Sequence, residues 1–111
     1  MPITHRLRSD VVVLDFVDPL GEGDFKELHG HAVEVLGGAQ GRLVLNLSRT
    51  SLTDRKAVDH LGRVAKLYFD NSGKLKLASV SPEARRVLDD DGLTVAVNIY
   101  DTEDKAIKSF A

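Results

Sequence analysis

The 111 residues carry 17 acidic and 15 basic side chains for a formal charge of −2, with 42% hydrophobic and 29% charged residues. Such values exclude a disordered or fibrous class, and a chain without basic excess gives no sign of a nucleic-acid footprint. Cysteine is absent, which removes disulfides, thiolate catalysis and Cys-type zinc sites together. Residues 1–10 lack an apolar signal core and no stretch is long enough to cross a bilayer, so the expectation is a soluble, cytoplasmic protein with no direct membrane insertion. The length fits one domain over 1–111, large enough to bury roughly 65% of its unfolded surface.

Taken in order, Ile3 to Arg8 alternates loosely, Ser9-Asp10 supplies turn chemistry and Val11 to Val17 is β-branched and apolar, which predicts a hairpin of two strands. Asp18-Pro19 ends the second strand, because proline cannot donate to a ladder, and Gly21 and Gly23 loosen the chain. Asp24 is then expected to cap a helix, with Glu27 three residues on as in a capping box. Phe25, Leu28, Ala32, Val33 and Leu36 follow helical spacing behind it, and Gly37-Gly38 is expected to close the helix in a left-handed conformation.

The longest patterned stretch runs from Leu43 to Phe69. Leu43, Val44, Leu45 and Leu47, interrupted only by Asn46, suit a strand packed on both faces. A polar loop, Ser48 to Thr53, leads to Asp54, placed to cap a helix through the unpaired amides of its first turn. Val58, Leu61, Ala65 and Tyr68 recur at spacings of three and four, widened by Ala57 and Val64, so one face of that helix docks on the sheet. Its first turn is unusual: Arg55 and Lys56 place positive charge at the positive end of the helix dipole, unfavourable by roughly 0.3–1 kcal/mol per charge.

Asp70-Asn71-Ser72-Gly73 turns the chain into a strand with Leu75, Leu77 and Val80. Ser81-Pro82-Glu83 is a helix start made of an N-cap hydroxyl, proline at the first helical position and a favourably placed acid. That short helix buries Ala84, Val87 and Leu88 before Asp89-Asp90-Asp91 and Gly92. Thr94 to Tyr100 returns to strand pattern with Val95, Val97 and Ile99 on one side, and Asp101 is expected to cap a last helix with Ala106, Ile107 and Phe110. The order β-β-α-β-α-β-α-β-α predicts an α/β fold with a mixed, mostly parallel sheet of four to five strands and about four helices.

Several of these segments resemble one known family. Leu43-Val-Leu-Asn-Leu, Asp54 with its amphipathic helix, Gly73, Leu75 to Val80, Ser81-Pro82-Glu83-Ala84-Arg85-Arg86-Val87-Leu88, Gly92-Leu93, and Tyr100-Asp101 followed by a helix with Glu103 and Ala106 are similar, in that order, to the STAS domain of anti-sigma factor antagonists. The resemblance spans about Val11 to Phe110 and implies a STAS-like single domain. It also implies a non-enzymatic interaction module in bacterial sigma factor and transcription regulation, binding an anti-sigma factor or another regulatory protein without a cofactor. In that family the stretch after the central strand reads Asp-Ser-Ser/Thr-Gly, and its second hydroxyl residue is phosphorylated by an anti-sigma factor that is also a kinase. Matched by position, Asp54 keeps the aspartate, Arg55 replaces the first serine, Lys56 the phosphoacceptor and Ala57 the glycine. Lysine has no hydroxyl, so a switch that adds about −1.5 to −2 charge at a helix start cannot operate at Lys56. Arg55 and Lys56 would instead attract an acidic surface.

The expected docking face is therefore Ser48, Thr50, Ser51, Thr53, Asp54, Arg55, Lys56 and Asp59, with Thr50, Ser51 and Thr53 available as displaced phosphoacceptors or, more simply, as loop hydroxyls satisfying backbone groups. A STAS subunit of an ABC-type membrane transport assembly is an alternative, as is a small anion- or nucleotide-binding domain using the helix start. Homo-oligomerisation stays open. His29, His31 and His60 read as structural residues and not as metal ligands, since His29 and His31 point in different directions on a helix. The glycines make no phosphate-binding fingerprint. Asp89 to Asp91 read as solvent-facing, and Phe25, Phe69 and Phe110 as core.

Overall fold

Ser9 and Asp10 both take positive φ, 48° and 67°, the backbone a two-residue hairpin needs to follow the strand twist. They join β1 (Ile3–Arg8) to β2 (Val11–Val17) in antiparallel register, from Arg8 opposite Val11 to Ile3 opposite Phe16. The computed structural model describes residues 3–17, 22–38, 41–49, 55–90, 92–93 and 97–110. After β2 the chain runs through α1 (Glu22–Gly38), β3 (Arg42–Arg49), α2 (Arg55–Asp70), β4 (Lys74–Ala78), α3 (Pro82–Asp90), β5 (Asn98–Tyr100) and α4 (Glu103–Lys108). The sheet order is β1-β2-β3-β4-β5, with every pair after the hairpin parallel. This is the mixed, mostly parallel α/β architecture expected from the element order.

Each step from β2 to β5 moves the same way across the sheet, so crossovers of one hand place their helices on one face. Phe25 and Leu28 of α1, Val58 and Leu61 of α2 and Ala84 and Leu88 of α3 accordingly share a core with Leu14, Phe16, Leu43, Leu45, Leu47 and Leu77. The opposite face is covered by α4, where Ala106 packs on Val11, Val13, Val44 and Ala78, flanked by Tyr100, Ile107 and Phe110. β3 is apolar on both faces because it lies between these two layers. Tyr68 is 1% exposed and donates its hydroxyl to the Ala32 carbonyl at 2.8 Å, a bond from α2 to α1; burial pushes its phenol well above the ordinary range.

Helix ends depart from expectation in three places. α1 begins at Glu22, so Asp24 lies inside the first turn and Glu27 a turn further on, where it faces His31 at 3.5 Å in place of a capping box. Gly37 and Gly38 remain helical, and the next described residue, Gly41, takes positive φ, 67°. A Cβ there would stand 3.3 Å from the Gly73 Cα, so two chain segments meet too closely for a side chain. At α4 the cap is Thr102, whose Oγ1 accepts from the Lys105 amide at 3.2 Å, while Asp101 pairs with Lys105 at 3.7 Å. The α3 start holds as expected, with Ser81 Oγ accepting from the Ala84 amide at 3.1 Å.

α2 ends in a Schellman arrangement in which Ser72, φ 58°, occupies the left-handed position while Gly73 N–H reaches the Tyr68 carbonyl and Ser72 N–H that of Phe69. Two apolar assignments are corrected. Phe69 is 79% exposed, because Tyr68 already fills the buried side of the last α2 turn, and Val33 is 48% exposed, its place on the buried α1 face being taken by Val35. Val80 lies beyond β4 but packs on the core from its loop. The readings of Asp18, Pro19, Gly21, Asp91, Thr94 and Val95 fall outside the described residues.

Candidate functional site

All four parallel strands point their C-terminal ends the same way, toward the edge where open α/β sheets present their sites. β3 arrives at this edge irregularly. Asp15 pairs with Asn46 but Val17 pairs with Arg49, so β3 carries one more residue than β2 over the same step. A bulge leaves its extra residue outside the ladder. The displaced amide is Ser48 N–H, which the Asn46 side-chain oxygen accepts at 3.0 Å. Ser48 itself is exposed.

The other end of the Asn46 amide donates to Glu103 at 3.0 Å. Glu103 also receives Arg6 and Arg8 from β1, while Arg6 grips Asp15 through two N–H donors at 2.7 and 2.9 Å and Arg8 reaches Asp104 at 2.9 Å. Burial pushes the Glu103 carboxyl up, but the hydrogen bonds from Arg6, Asn46 and Arg8 outweigh it and hold it down at about 2. The result is one polar network on the α4 side of the sheet that ties β1, the exit of β3 and the first turn of α4 together. A groove of about 390 Å³ opens beside it, lined by Thr4, Arg6, Asp15, Val17, Ser48 and Arg49 among others. In the sequence Asn46 stands as an interruption in an apolar strand. The signal was that same lone amide in a run otherwise without polar groups.

Of the residues expected to form the docking face, Thr50, Ser51, Thr53 and Asp54 lie outside the described residues. α2 begins at Arg55, with no acidic residue in its first turn. Lys56 and Asp59 are exposed on the first turns of α2, whereas Ala57 and Val58 between them are buried. Lys56 and Ser48 therefore flank residues 50–54 from either side in the chain.

His31 lies against Glu27 and 5.3 Å from the His5 ring, and His60 stacks on Phe25 at 4.4 Å. Among the described residues no group of three His, Cys, Asp or Glu side chains could hold a metal ion. Nor is any helix of the described residues long and apolar enough to cross a membrane.

The family model described as STAS domain matches residues 3–106. The chain belongs to the STAS domain family. A Thermotoga maritima protein assigned to the anti-sigma factor antagonists has a similar fold, with a TM-score of 0.83 at 22% identity over 96% of this chain and 92% of that one. An anti-sigma-factor antagonist (STAS) domain protein from Planctomyces limnophilus gives 0.80 at 22% identity, covering 96% of each chain. The Bacillus cell fate determinant SpoIIAA in its phosphorylated form gives 0.78 at 20% identity, over 98% of this chain and 99% of that one. No curated protein matches in a comparison of sequences.

Proposed function

We propose that this chain is a non-enzymatic protein-interaction module of the anti-sigma factor antagonist kind, one that binds its regulatory partner without a phosphate switch at the helix start. The docking face would comprise Ser48, the loop residues Thr50, Ser51, Thr53 and Asp54, and Arg55, Lys56 and Asp59 on the first turns of α2. The reading rests above all on one observation: an exposed lysine occupies the first turn of the helix that follows β3, where the family resemblance places a phosphorylated hydroxyl. Membership of the STAS family and the folds shared with anti-sigma factor antagonists support the class of partner.

Fixed positive charge at this position changes the logic of binding. A phosphorylated hydroxyl repels an acidic partner surface only after modification, whereas a lysine attracts one at all times. Partner abundance, not phosphorylation at Lys56, would then set occupancy. The test is to measure affinity for the purified anti-sigma factor kinases encoded beside the gene, comparing wild type with Arg55→Glu/Lys56→Glu. About tenfold weaker binding or more is expected for the double variant, and an unchanged affinity overturns the docking face.

A further inference from the structure

A second basic feature lies between the first two helices of the helical layer. α1 and α2 flank a groove of about 520 Å³ whose floor is Phe25 and Val64 and whose walls are Lys26 and His29 from α1 and His60 and Arg63 from α2. The spacing of three in each pair puts both residues on one helix flank. Phe25 and Val64 are buried; Lys26, His29 and Arg63 are exposed, and His60 is half-buried. Among the described residues none of the four basic side chains takes part in an ion pair. That includes Arg63, although the exposed Asp59 sits four residues before it on the same helix. Four basic groups around an apolar floor complement a carboxylate-bearing surface with an apolar residue at its centre.

The same observations disfavour nucleic acid. The chain as a whole carries −2, so it lacks the long-range attraction that gathers polyanions. We infer that the α1–α2 groove docks an acidic amphipathic segment of a protein partner, its apolar side over the stacked Phe25–His60 pair and its carboxylates on Lys26, His29 and Arg63. Among the described residues none of the docking-face positions lines this groove, and its test substitutes other positions, so it stands or falls separately from the docking face proposed above.

The probe is a fluorescently labelled synthetic peptide of about 15 residues with Glu and Leu at helical spacing, titrated with wild type, Lys26→Glu/Arg63→Glu and a control of equal charge change, Lys74→Glu/Lys108→Glu, all checked for retained helicity. The groove variant should bind about tenfold more weakly or worse, with the control within about twofold of wild type. In the wild type, backbone amide shifts at Phe25, Lys26, His60 and Arg63 should move together during the titration, a readout that needs no substitution. Equal weakening by both variants, absence of binding to wild type, or displacement of the peptide by a single-stranded oligonucleotide of equal charge would each overturn the inference.

Discussion

Asn46 and Glu103 lie 57 positions apart in the chain and meet at 3.0 Å. Through this contact the exit of β3, the strand that leads into the proposed docking loop, is held to the first turn of α4. Asn46 serves both ends at once, accepting the Ser48 amide and donating to the carboxylate. The position of Ser48 is therefore set from the far side of the sheet.

Replacing Glu103 by glutamine removes the charge that Arg6, Arg8 and Asn46 share. Glu103 is 13% exposed while Arg6 is 44% exposed, so water compensates the arginine in part. A loss of about 1–2 kcal/mol is expected, read as a lower urea midpoint with unchanged slope.

The same carboxyl imposes a pH dependence. Its folded value, about 2, lies below the ordinary 4.5, so its stabilisation is complete above 4.5 and is lost as pH falls from there toward 2. Across that window the melting temperature of wild type should fall more steeply than that of Glu103→Gln. The two curves should converge at the acid end; parallel curves would mean that Glu103 is not held as described.

Two glycines should respond oppositely to alanine. Gly62 sits within α2 with the Leu93 side chain 4.0 Å from an added Cβ, so Gly62→Ala should stabilise by about 0.5–1 kcal/mol through helix propensity. At Gly73 the new Cβ would fall 2.5 Å from Leu36 and 2.7 Å from the Tyr68 ring. Tyr68 is anchored by its hydrogen bond to Ala32 and does not yield, so Gly73→Ala should cost about 1–3 kcal/mol. Thermal melts of the two variants on either side of wild type are the check.

Phe25 and Phe69 are separated by burial alone. Phe25→Ala should cost about 3–5 kcal/mol because Phe25 is 9% exposed and part of the core. Phe69→Ser, at a side chain 79% exposed, should stay within about 0.5 kcal/mol of wild type. Chemical denaturation of both distinguishes them.

The helical body of α2 was legible because its stripe is strong: Ala57, Val58, Leu61, Val64, Ala65 and Tyr68 are all buried. Periodicity at this strength leaves one possible inward face. Phe69 follows Tyr68 by one residue, and hydrophobicity alone does not say which of two adjacent aromatic rings the sheet accepts. Capping was harder to read. Asp24 and Asp101 are good cap residues in isolation, but α1 already runs from Glu22 and Thr102 caps α4, since neighbouring residues compete for one geometry and packing decides among them.

The candidate site divides along the same line. Local sequence alone determines that Lys56 carries no hydroxyl and that positive charge opens α2, because those are properties of side-chain chemistry and chain order. The alternation of strands and helices likewise follows from patterns of two and three or four residues. What only the tertiary structure decided is which distant groups meet: Arg6, Arg8 and Asn46 on Glu103, and Lys26 and His29 facing His60 and Arg63 across a groove. Those encounters depend on strand order and helix placement, which bring together residues whose separation along the chain carries no local signal.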